Sequence, residues 1–152
     1  MNQHKSGFTI IEIIVFVALF SFSIVYIFSA MISTSNSMKQ SQMRTIANHE
    51  NGELVEWLLY NKNVLAYNGF VAEIWPAGDT QNAKTYCFND VLDEYATWPN
   101  SEGTCSGFDL QNLFKREAVF TMADTVVINI VSSWSFMSAI SSSSVQIYIA
   151  DY

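Results

Sequence analysis

The sequence predicts an α+β fold in which a long N-terminal helix packs on a small antiparallel β-sheet. The chain begins with a continuous apolar run, and apolar residues then recur at helical spacing up to about Asn61. The last third instead alternates apolar and polar residues, as half-buried strands do. A helix that comes first and strands that follow it are typical of α+β proteins rather than of alternating α/β folds.

The apolar run extends from Gly7 to Ile32 and contains one charged residue, Glu12. Roughly 20 apolar residues are enough for a helix to cross the ~30 Å hydrocarbon core of a bilayer, so residues 8–32 are predicted to form a transmembrane helix. A carboxylate in such a helix is costly and indicates a functional partner. No basic residue lies one helical turn from Glu12, so a cation is expected from elsewhere. The simplest candidate is a free α-amino group at Phe8, created by cutting the chain after Gly7 and brought in by a neighbouring copy.

Residues 33–61 are predicted to continue the helix outside the bilayer with one apolar face. The composition turns polar directly after Ile32, with the stretch STSNSMKQSQMRT. Gly52 costs about 1 kcal/mol relative to alanine in a helix, so a bend is expected there, and the helix is expected to end near Asn61 or Asn63. Apolar residues recur at helical spacing along this segment: Met43, Ile46, Ala47, Leu54 and Leu58.

Residues 62–152 are predicted to form a globular head with a C-terminal antiparallel sheet. Its strands are expected near 113–122, 125–136 and 144–150, with a loop over Met137–Ser144. Lys115-Arg116-Glu117 disturbs the alternation of the first strand. In the second, five apolar residues are predicted to share one face: Val126, Ile128, Ile130, Trp134 and Phe136.

The connection between helix and sheet is predicted to consist mainly of turns. Asn68-Gly69, Pro76-Ala77-Gly78-Asp79 and Trp98-Pro99-Asn100 are turn-forming sequences. Two short apolar pieces, Phe70–Trp75 and Thr85–Phe88, are interpreted as edge strands or loop anchors.

The charge balance argues against nucleic acid as a partner. The chain carries 14 acidic and 7 basic residues, for a net charge of −7. A field of this sign does not attract a phosphate backbone. No nucleic-acid partner is therefore expected.

Cys87 and Cys105 enclose a polar loop, and the sequence leaves two states open. In an oxidising compartment they would form one bridge, worth about 3 kcal/mol for a loop of this size. The alternative is two free thiols. Their spacing is not that of a metal-ligand pair, and no metal or cofactor is expected.

No residue set predicts catalysis, so the chain is not expected to be an enzyme. The acidic residues Asp90, Asp93 and Glu94 lack the alternating oxygen ligands and glycine of a calcium loop. His49 is interpreted as a solvated helix residue. Trp75 and Trp98 are interpreted as core or loop residues, with stacking on an external ligand as the alternative.

Lys5, Gly7, Phe8, Thr9 and Glu12 stand at fixed spacing at the start of the apolar run, in the sequence KSGFTIIE. This pattern resembles the processing site of type IV prepilins and pseudopilins, and the predicted helix-and-sheet layout is similar to the pilin fold. The resemblance implies that residues 1–7 are a leader and that prepilin peptidase cuts after Gly7. It also implies N-methylation of the new terminus at Phe8 and a role for Glu12 as the assembly carboxylate.

The expected function is therefore a structural subunit of a type IV pilus-like filament, namely a minor pilin or pseudopilin. The implied partners are the membrane, prepilin peptidase and other pilin subunits, with an assembly ATPase and platform acting indirectly. The implied location is the bacterial cytoplasmic membrane, crossed once with the head extracytoplasmic, and after assembly a periplasmic or cell-surface filament. A membrane-tethered extracytoplasmic binding module is the alternative function. A secretory signal and a plain single-span anchor are the alternatives for the apolar run itself.

Overall fold

The fold consists of one long helix followed by four strands. The computed structural model describes residues 9–90, 92, 97–99 and 102–151. Helix α1 spans Ile10–Ile74, and the strands are β1 Lys84–Cys87, β2 Phe114–Met122, β3 Val126–Phe136 and β4 Ala139–Ile149. The chain divides into two compact units, Met1–Ser41 and Gln42–Tyr152. The second unit, called the head below, contains the sheet, which confirms the predicted α+β fold.

The four strands form an antiparallel meander in the order β1-β2-β3-β4. Phe114 of β2 lies opposite Trp134 of β3, and Val126 of β3 lies opposite Ile149 of β4. The alternating apolar residues of β2 and β3 lie on one face of the sheet, as predicted. This face is buried against the Gln42–Ile74 part of α1. The main core contains residues from helix and sheet alike: Leu54, Leu58, Phe70, Ile74, Phe120, Val126, Ile128 and Ile130.

A second, smaller cluster joins α1 to the other end of the sheet. Ala47 packs there with Leu110, Phe114 and Trp134, and Met43 and Phe136 lie at its margin. The predicted apolar face of β3 is thus in the core. The buried face of the helix differs from the predicted apolar face: Ile46 is exposed, whereas Glu50 is buried.

Helix α1 consists of two helical segments that meet at a kink at Ala66, so the first segment ends a few residues after the predicted Asn61 or Asn63, and the second ends at Ile74. Asn61 does not stop the helix, because its side-chain amide donates to the carbonyl of Trp57 one turn earlier, at 2.9 Å. The segment Phe70–Trp75 is consequently the helix end and not an edge strand. Pro76 follows directly, where a helix is expected to have stopped.

The irregularity in α1 lies at Ala66 rather than at Gly52. Ala66 has φ 55° and ψ 170°, a backbone conformation that is normally reserved for glycine. The last two turns of the helix follow this break, and they bury Phe70 and Ile74 completely. The hydroxyl of Tyr86 also donates to the carbonyl of Ile74 at 3.0 Å. Burial of these two side chains offsets the strain at Ala66.

Replacing Ala66 with glycine is expected to stabilise the head by about 1 kcal/mol. Strain at such a residue costs about 1–3 kcal/mol, and glycine would relieve it. Glycine also has more conformational entropy in the unfolded chain, which lowers the gain by about 0.5–1 kcal/mol. Urea unfolding of the full chain in detergent, followed by tryptophan fluorescence, measures the change. Ala72→Gly is the matched control, since Ala72 is an exposed helical residue and its replacement should cost about 1 kcal/mol. Equal losses in both variants would show that Ala66 is not strained.

Strand β4 begins at Ala139, so the predicted loop over Met137–Ser144 is wrong. Only Met137 and Ser138 form the turn, and both have positive φ values, 50° and 65°. Ser141–Ser144 belong to the strand and lie opposite Val131–Trp134 of β3. The two-residue connection makes β3 and β4 a tight hairpin.

Candidate functional site

The apolar part of α1 is an uncovered helix. Between Thr9 and Met38, Glu12 is the only charged residue, and every large apolar side chain from Ile10 to Ile32 is exposed. The helix is long and apolar enough to cross a membrane, judged by length and composition. An apolar surface of this size requires lipid or other helices around it.

Glu12 lies in the first turn of this helix. Its backbone N–H donates to the carbonyl of Thr9 at 3.0 Å, which closes the turn. The positive end of the helix dipole favours a carboxylate at this position. Phe16, one turn later, stacks on Phe20 with ring centroids 6.1 Å apart, so Glu12 is followed by aromatic surface. Among residues 9–90, 92, 97–99 and 102–151, Glu12 makes no ion pair.

The predicted cleavage residues, Gly7 and Phe8, lie outside the described residues. The structure therefore does not place the terminal amine relative to Glu12. The predicted contact between a Phe8 amine and the carboxylate of another copy stays a prediction.

Three hydroxyl groups in and just after the apolar part of α1 donate to carbonyls of the same helix. Ser21 donates to the carbonyl of Val17 at 2.8 Å, and Ser23 donates to that of Leu19 at 2.9 Å. Thr34 makes the same contact with Ala30. Because each of these three hydroxyls has an acceptor in its own helix, Ser21, Ser23 and Thr34 add little polar cost in an apolar environment.

The head contains a buried ion pair that the sequence analysis did not identify. Arg116 of β2 is fully buried, because it shares the helix-facing side of the strand with Phe114 and Ala118. Its Nη1 lies 3.2 Å from Oε2 of Glu50 on α1 and donates to the Glu50 carbonyl at 2.7 Å. Gln111 donates to the other carboxylate oxygen of Glu50 at 2.7 Å. The pair therefore links helix, sheet and loop.

Arg116 also fixes the loop that follows β1. Its Nε donates to the carbonyl of Phe88 at 3.0 Å, and its Nη2 donates to the carbonyl of Asp90 at 3.2 Å. The side-chain carbonyl of Asn89 accepts the backbone N–H of Arg116 at 2.9 Å. A buried guanidinium is tolerated here because each of its nitrogens has an acceptor.

Burial raises the pKa of the Glu50 carboxyl, and the nearby Arg116 guanidinium partly opposes that rise. A second carboxylate, Glu53, also raises the pKa of Glu50 and lies 3.8 Å from Arg116. Glu53 is partly exposed and pairs with His49 one turn earlier at 3.5 Å, so His49 is a surface helix residue. The group formed by Glu50, Glu53 and Arg116 thus contains two acidic residues and one basic residue.

Cys87 and Cys105 form a disulfide, which decides between the two states that the sequence left open. Cys87 lies opposite Glu117 on the sheet. The Glu117 carboxylate accepts the backbone N–H of Cys105 at 2.8 Å and is 3.1 Å from the ammonium group of Lys115. The bridge therefore ties the loop before β2 to the sheet.

Of the two tryptophans of the connecting region, Trp75 is a core residue, and Trp98 is half-buried and packs against the core. Trp75 is almost fully buried, and its indole N–H donates to the carbonyl of Asn82 at 2.8 Å. Trp98 makes ring contacts with five other aromatic residues at 5.6–5.9 Å: Trp57, Phe70, Tyr86, Phe88 and Phe120. The Trp75 ring is therefore not a flat stacking surface for a sugar or a base, whereas the Trp98 ring also lines a cavity.

The predicted acidic cluster is only partly visible. Asp90 is exposed, whereas Asp93 and Glu94 lie outside the described residues. In the part of the chain that the structure describes, no group of three His, Cys, Asp or Glu side chains could hold a metal ion.

Comparison with known proteins adds no relative. No protein-family model, curated protein or solved structure matches the chain.

Proposed function

We propose that the chain is a structural subunit of a type IV pilus-like filament, specifically a minor pilin or pseudopilin. The observation that carries the proposal is the lone carboxylate of Glu12 in the first turn of an uncovered apolar helix. It stands five residues after Gly7, at the spacing that resembles a prepilin processing site. The head beyond Gln42 then acts as the part that emerges from the membrane.

Processing creates the partner for Glu12. Prepilin peptidase hydrolyses the bond between Gly7 and Phe8, which leaves a carboxylate on Gly7 and an amine on Phe8. A methyl group is then transferred to that amine from a sulfonium methyl donor. The amine remains basic after one methylation, so it still carries a positive charge at neutral pH.

Assembly replaces lipid by neighbouring helices around the apolar part of α1. In that environment packing, rather than the hydrophobic effect, selects between arrangements. An unpaired Glu12 is costly in low dielectric, whereas a Glu12 that meets the Phe8 amine of a neighbour is compensated. The carboxylate therefore sets the register of the incoming subunit. An external ATPase and platform supply the energy of extraction.

The intact mass of the native protein tests this proposal. We expect a chain that begins at Phe8, carries one added methyl group and retains the Cys87–Cys105 bridge. Gly7→Val should preserve the leader, whereas Ser6→Ala, one residue earlier, should be processed normally. Native material that begins at Met1, or that is trimmed beyond Ile32, would contradict the proposal.

A membrane-tethered binding module is the second candidate, and a cavity in the head favours it. The cavity measures about 340 Å³, and its lining includes Glu73, Lys84, Tyr86, Trp98 and Glu102. Two acids and one base at its rim would suit a small polar ligand. Electron microscopy of purified filaments separates the two functions, because only the first places the protein inside fibres.

A further inference from the structure

A cavity lies in the head where three elements meet: the end of α1, strand β1 and the loop before Cys105. It measures about 340 Å³, which is enough for a small organic molecule. The described residues that line it all belong to the unit Gln42–Tyr152. The cavity is therefore a property of the head alone.

The walls of the cavity present an apolar surface to a ligand. Two proline rings, Pro76 and Pro99, form part of the lining together with Tyr86 and Trp98. The Tyr86 hydroxyl is already used, because it donates to the carbonyl of Ile74 at 3.0 Å. The indole N–H of Trp98 is buried, so this side chain presents ring carbon atoms rather than its donor. Polar contacts with a ligand are therefore left mainly to the charged side chains.

The charged side chains around the cavity carry an excess of negative charge. Glu73 and Glu102 line it, and Lys84 is the basic residue of the described lining. The ammonium group of Lys84 is paired with Asp79 and lies 3.8 Å from Oε2 of Glu102. The hydrogen bond to Asp79 raises the pKa of Lys84, so the lysine is charged at neutral pH. Glu73 makes no ion pair within the described residues, so three carboxylates accompany one ammonium group and two negative charges are in excess.

We propose that this cavity binds a small aliphatic diamine in its doubly protonated form. The two positive charges match the excess of negative charge, and the ammonium groups meet the carboxylates of Glu73 and Glu102. The apolar chain between them packs against the proline rings and Trp98, and aromatic rings also attract cations. An acidic ligand would be repelled by the same carboxylates, and a neutral one would leave the excess charge unmatched. This ligand class belongs to the second candidate function, the binding module, and does not depend on filament assembly.

Ligands of equal chain length test the charge that the cavity accepts. Isothermal titration calorimetry of the full chain in a nonionic detergent compares cadaverine, a linear diamine, with pentanediol and with glutarate, the corresponding diacid. Ammonium chloride supplies the charge without the apolar chain. We expect cadaverine to bind at least about tenfold more tightly than pentanediol or ammonium, and glutarate to show no binding. Absence of cadaverine binding, or equally tight binding of any of the other three, would overturn the proposal.

Substitution of Glu73 tests whether binding occurs in the cavity. Glu73→Gln should weaken cadaverine binding about fivefold or more, because it removes one of the matching carboxylates. Glu56→Gln is the matched control, since Glu56 is also an exposed glutamate of α1 and lies outside the described lining. The two variants have the same net charge. Equal effects of both would indicate attraction to the acidic protein as a whole and would overturn the proposal.

Substitution of Lys84 tests the sign of the ligand charge in the opposite direction. Lys84→Met removes a positive charge from the cavity, so cadaverine binding should become about threefold tighter or more. Weaker binding by a folded Lys84→Met head would show that the lysine attracts the ligand and would overturn the assignment to an amine. The tryptophan emission of each variant shows whether the head is folded. Glu73→Gln leaves the pair of Lys84 and Asp79 intact, so its test does not depend on the folding of the Lys84 variant.

A blocked glycine-lysine-glycine tripeptide distinguishes a free diamine from a lysine side chain of another protein. It carries one ammonium group, so we expect it to bind at least about tenfold more weakly than cadaverine. Tighter binding of the tripeptide would overturn the assignment to a free diamine. The native mass and the presence of the chain in fibres test filament assembly separately. Failure of cadaverine to bind a protein that enters filaments would therefore overturn the diamine site alone.

Discussion

Replacing Arg116 with methionine is expected to destabilise the head by about 3–5 kcal/mol at pH 8. The substitution leaves the buried Glu50 carboxylate without its cation and the Phe88 and Asp90 carbonyls without their donor. Breaking one side of a buried ion pair carries a cost of this size. It is a large part of the 5–15 kcal/mol that typically stabilises a domain. Urea unfolding followed by tryptophan fluorescence measures it.

The loss in Arg116→Met should become smaller as the pH falls. Removing the guanidinium removes the influence that lowers the pKa of Glu50, so the folded-state pKa rises further above its ordinary value of 4.5. A carboxyl with a raised pKa in the folded state binds its proton more tightly there than in the unfolded chain. The associated stability is present below pH 4.5 and is lost as the pH rises through the folded-state pKa. The difference between variant and wild type is therefore expected to be larger at pH 8 than at pH 5.

Two further variants control this experiment. Lys115→Met alters the neighbouring residue, which is partly exposed and pairs with Glu117, and it should cost less than about 1 kcal/mol. Adding Glu50→Leu to Arg116→Met removes the stranded charge and should recover part of the loss. Equal costs for the Arg116 and Lys115 variants would contradict the central place given to the buried pair.

Replacing Glu12 with alanine is expected to reduce incorporation into filaments by about tenfold or more. The effect follows from the proposed function, in which Glu12 pairs with the Phe8 amine of a neighbour in low dielectric. Losing one side of such a pair costs about 2–5 kcal/mol, and each 1.4 kcal/mol corresponds to a factor of ten. Cleavage and membrane insertion should be unchanged. Quantitative blotting of sheared filaments against the membrane fraction measures incorporation.

Glu12→Asp and Ser21→Ala are the matched controls for this prediction. Aspartate keeps the charge but shortens its reach, so an intermediate loss is expected. The Ser21 hydroxyl bonds only to the carbonyl of Val17 in its own helix, so its removal should leave incorporation unchanged. Normal incorporation of Glu12→Ala would exclude the proposed role in register.

The alternation of apolar residues was sufficient to predict β2 and β3, but not the start of β4. Ser141–Ser144 have no apolar–polar contrast, so the strand is not visible there in the sequence. Its position follows from pairing with β3 through the turn at Met137 and Ser138. Such two-residue turns usually contain asparagine or glycine, and here neither is present to indicate one.

The second helical segment of α1, which follows the kink at Ala66, was not predicted for a different reason. Asn61 is a common helix-ending residue, yet its side chain bonds within the helix. The break at Ala66 lies just before the turn-forming pair Asn68-Gly69, but alanine itself gives no signal of a break, since it is the best helix former. Tertiary packing of Phe70 and Ile74 determines it, and such packing cannot be inferred from local propensity.

Only one member of the buried pair, Arg116, could have been predicted from the sequence. Counting by twos from Phe114 and Ala118 places Arg116 on the buried face of its strand. Its partner Glu50 precedes it by 66 residues, and no periodicity connects a helix residue to a strand residue at that distance. The lone acid at position 12, in contrast, was evident because nothing charged surrounds it.

The position of the sheet at the end of the chain determines when the head can fold. Under the proposed function the head is exported from Gln42 towards Tyr152, so Glu50 would emerge well before Arg116. The acid remains hydrated until the guanidinium follows, and the meander is complete only when Ile149 has crossed. Cys87 and Cys105 have a single intramolecular pairing, so their oxidation requires no disulfide shuffling. Under that proposal, translocation would order the folding steps, with the last strand as the final one.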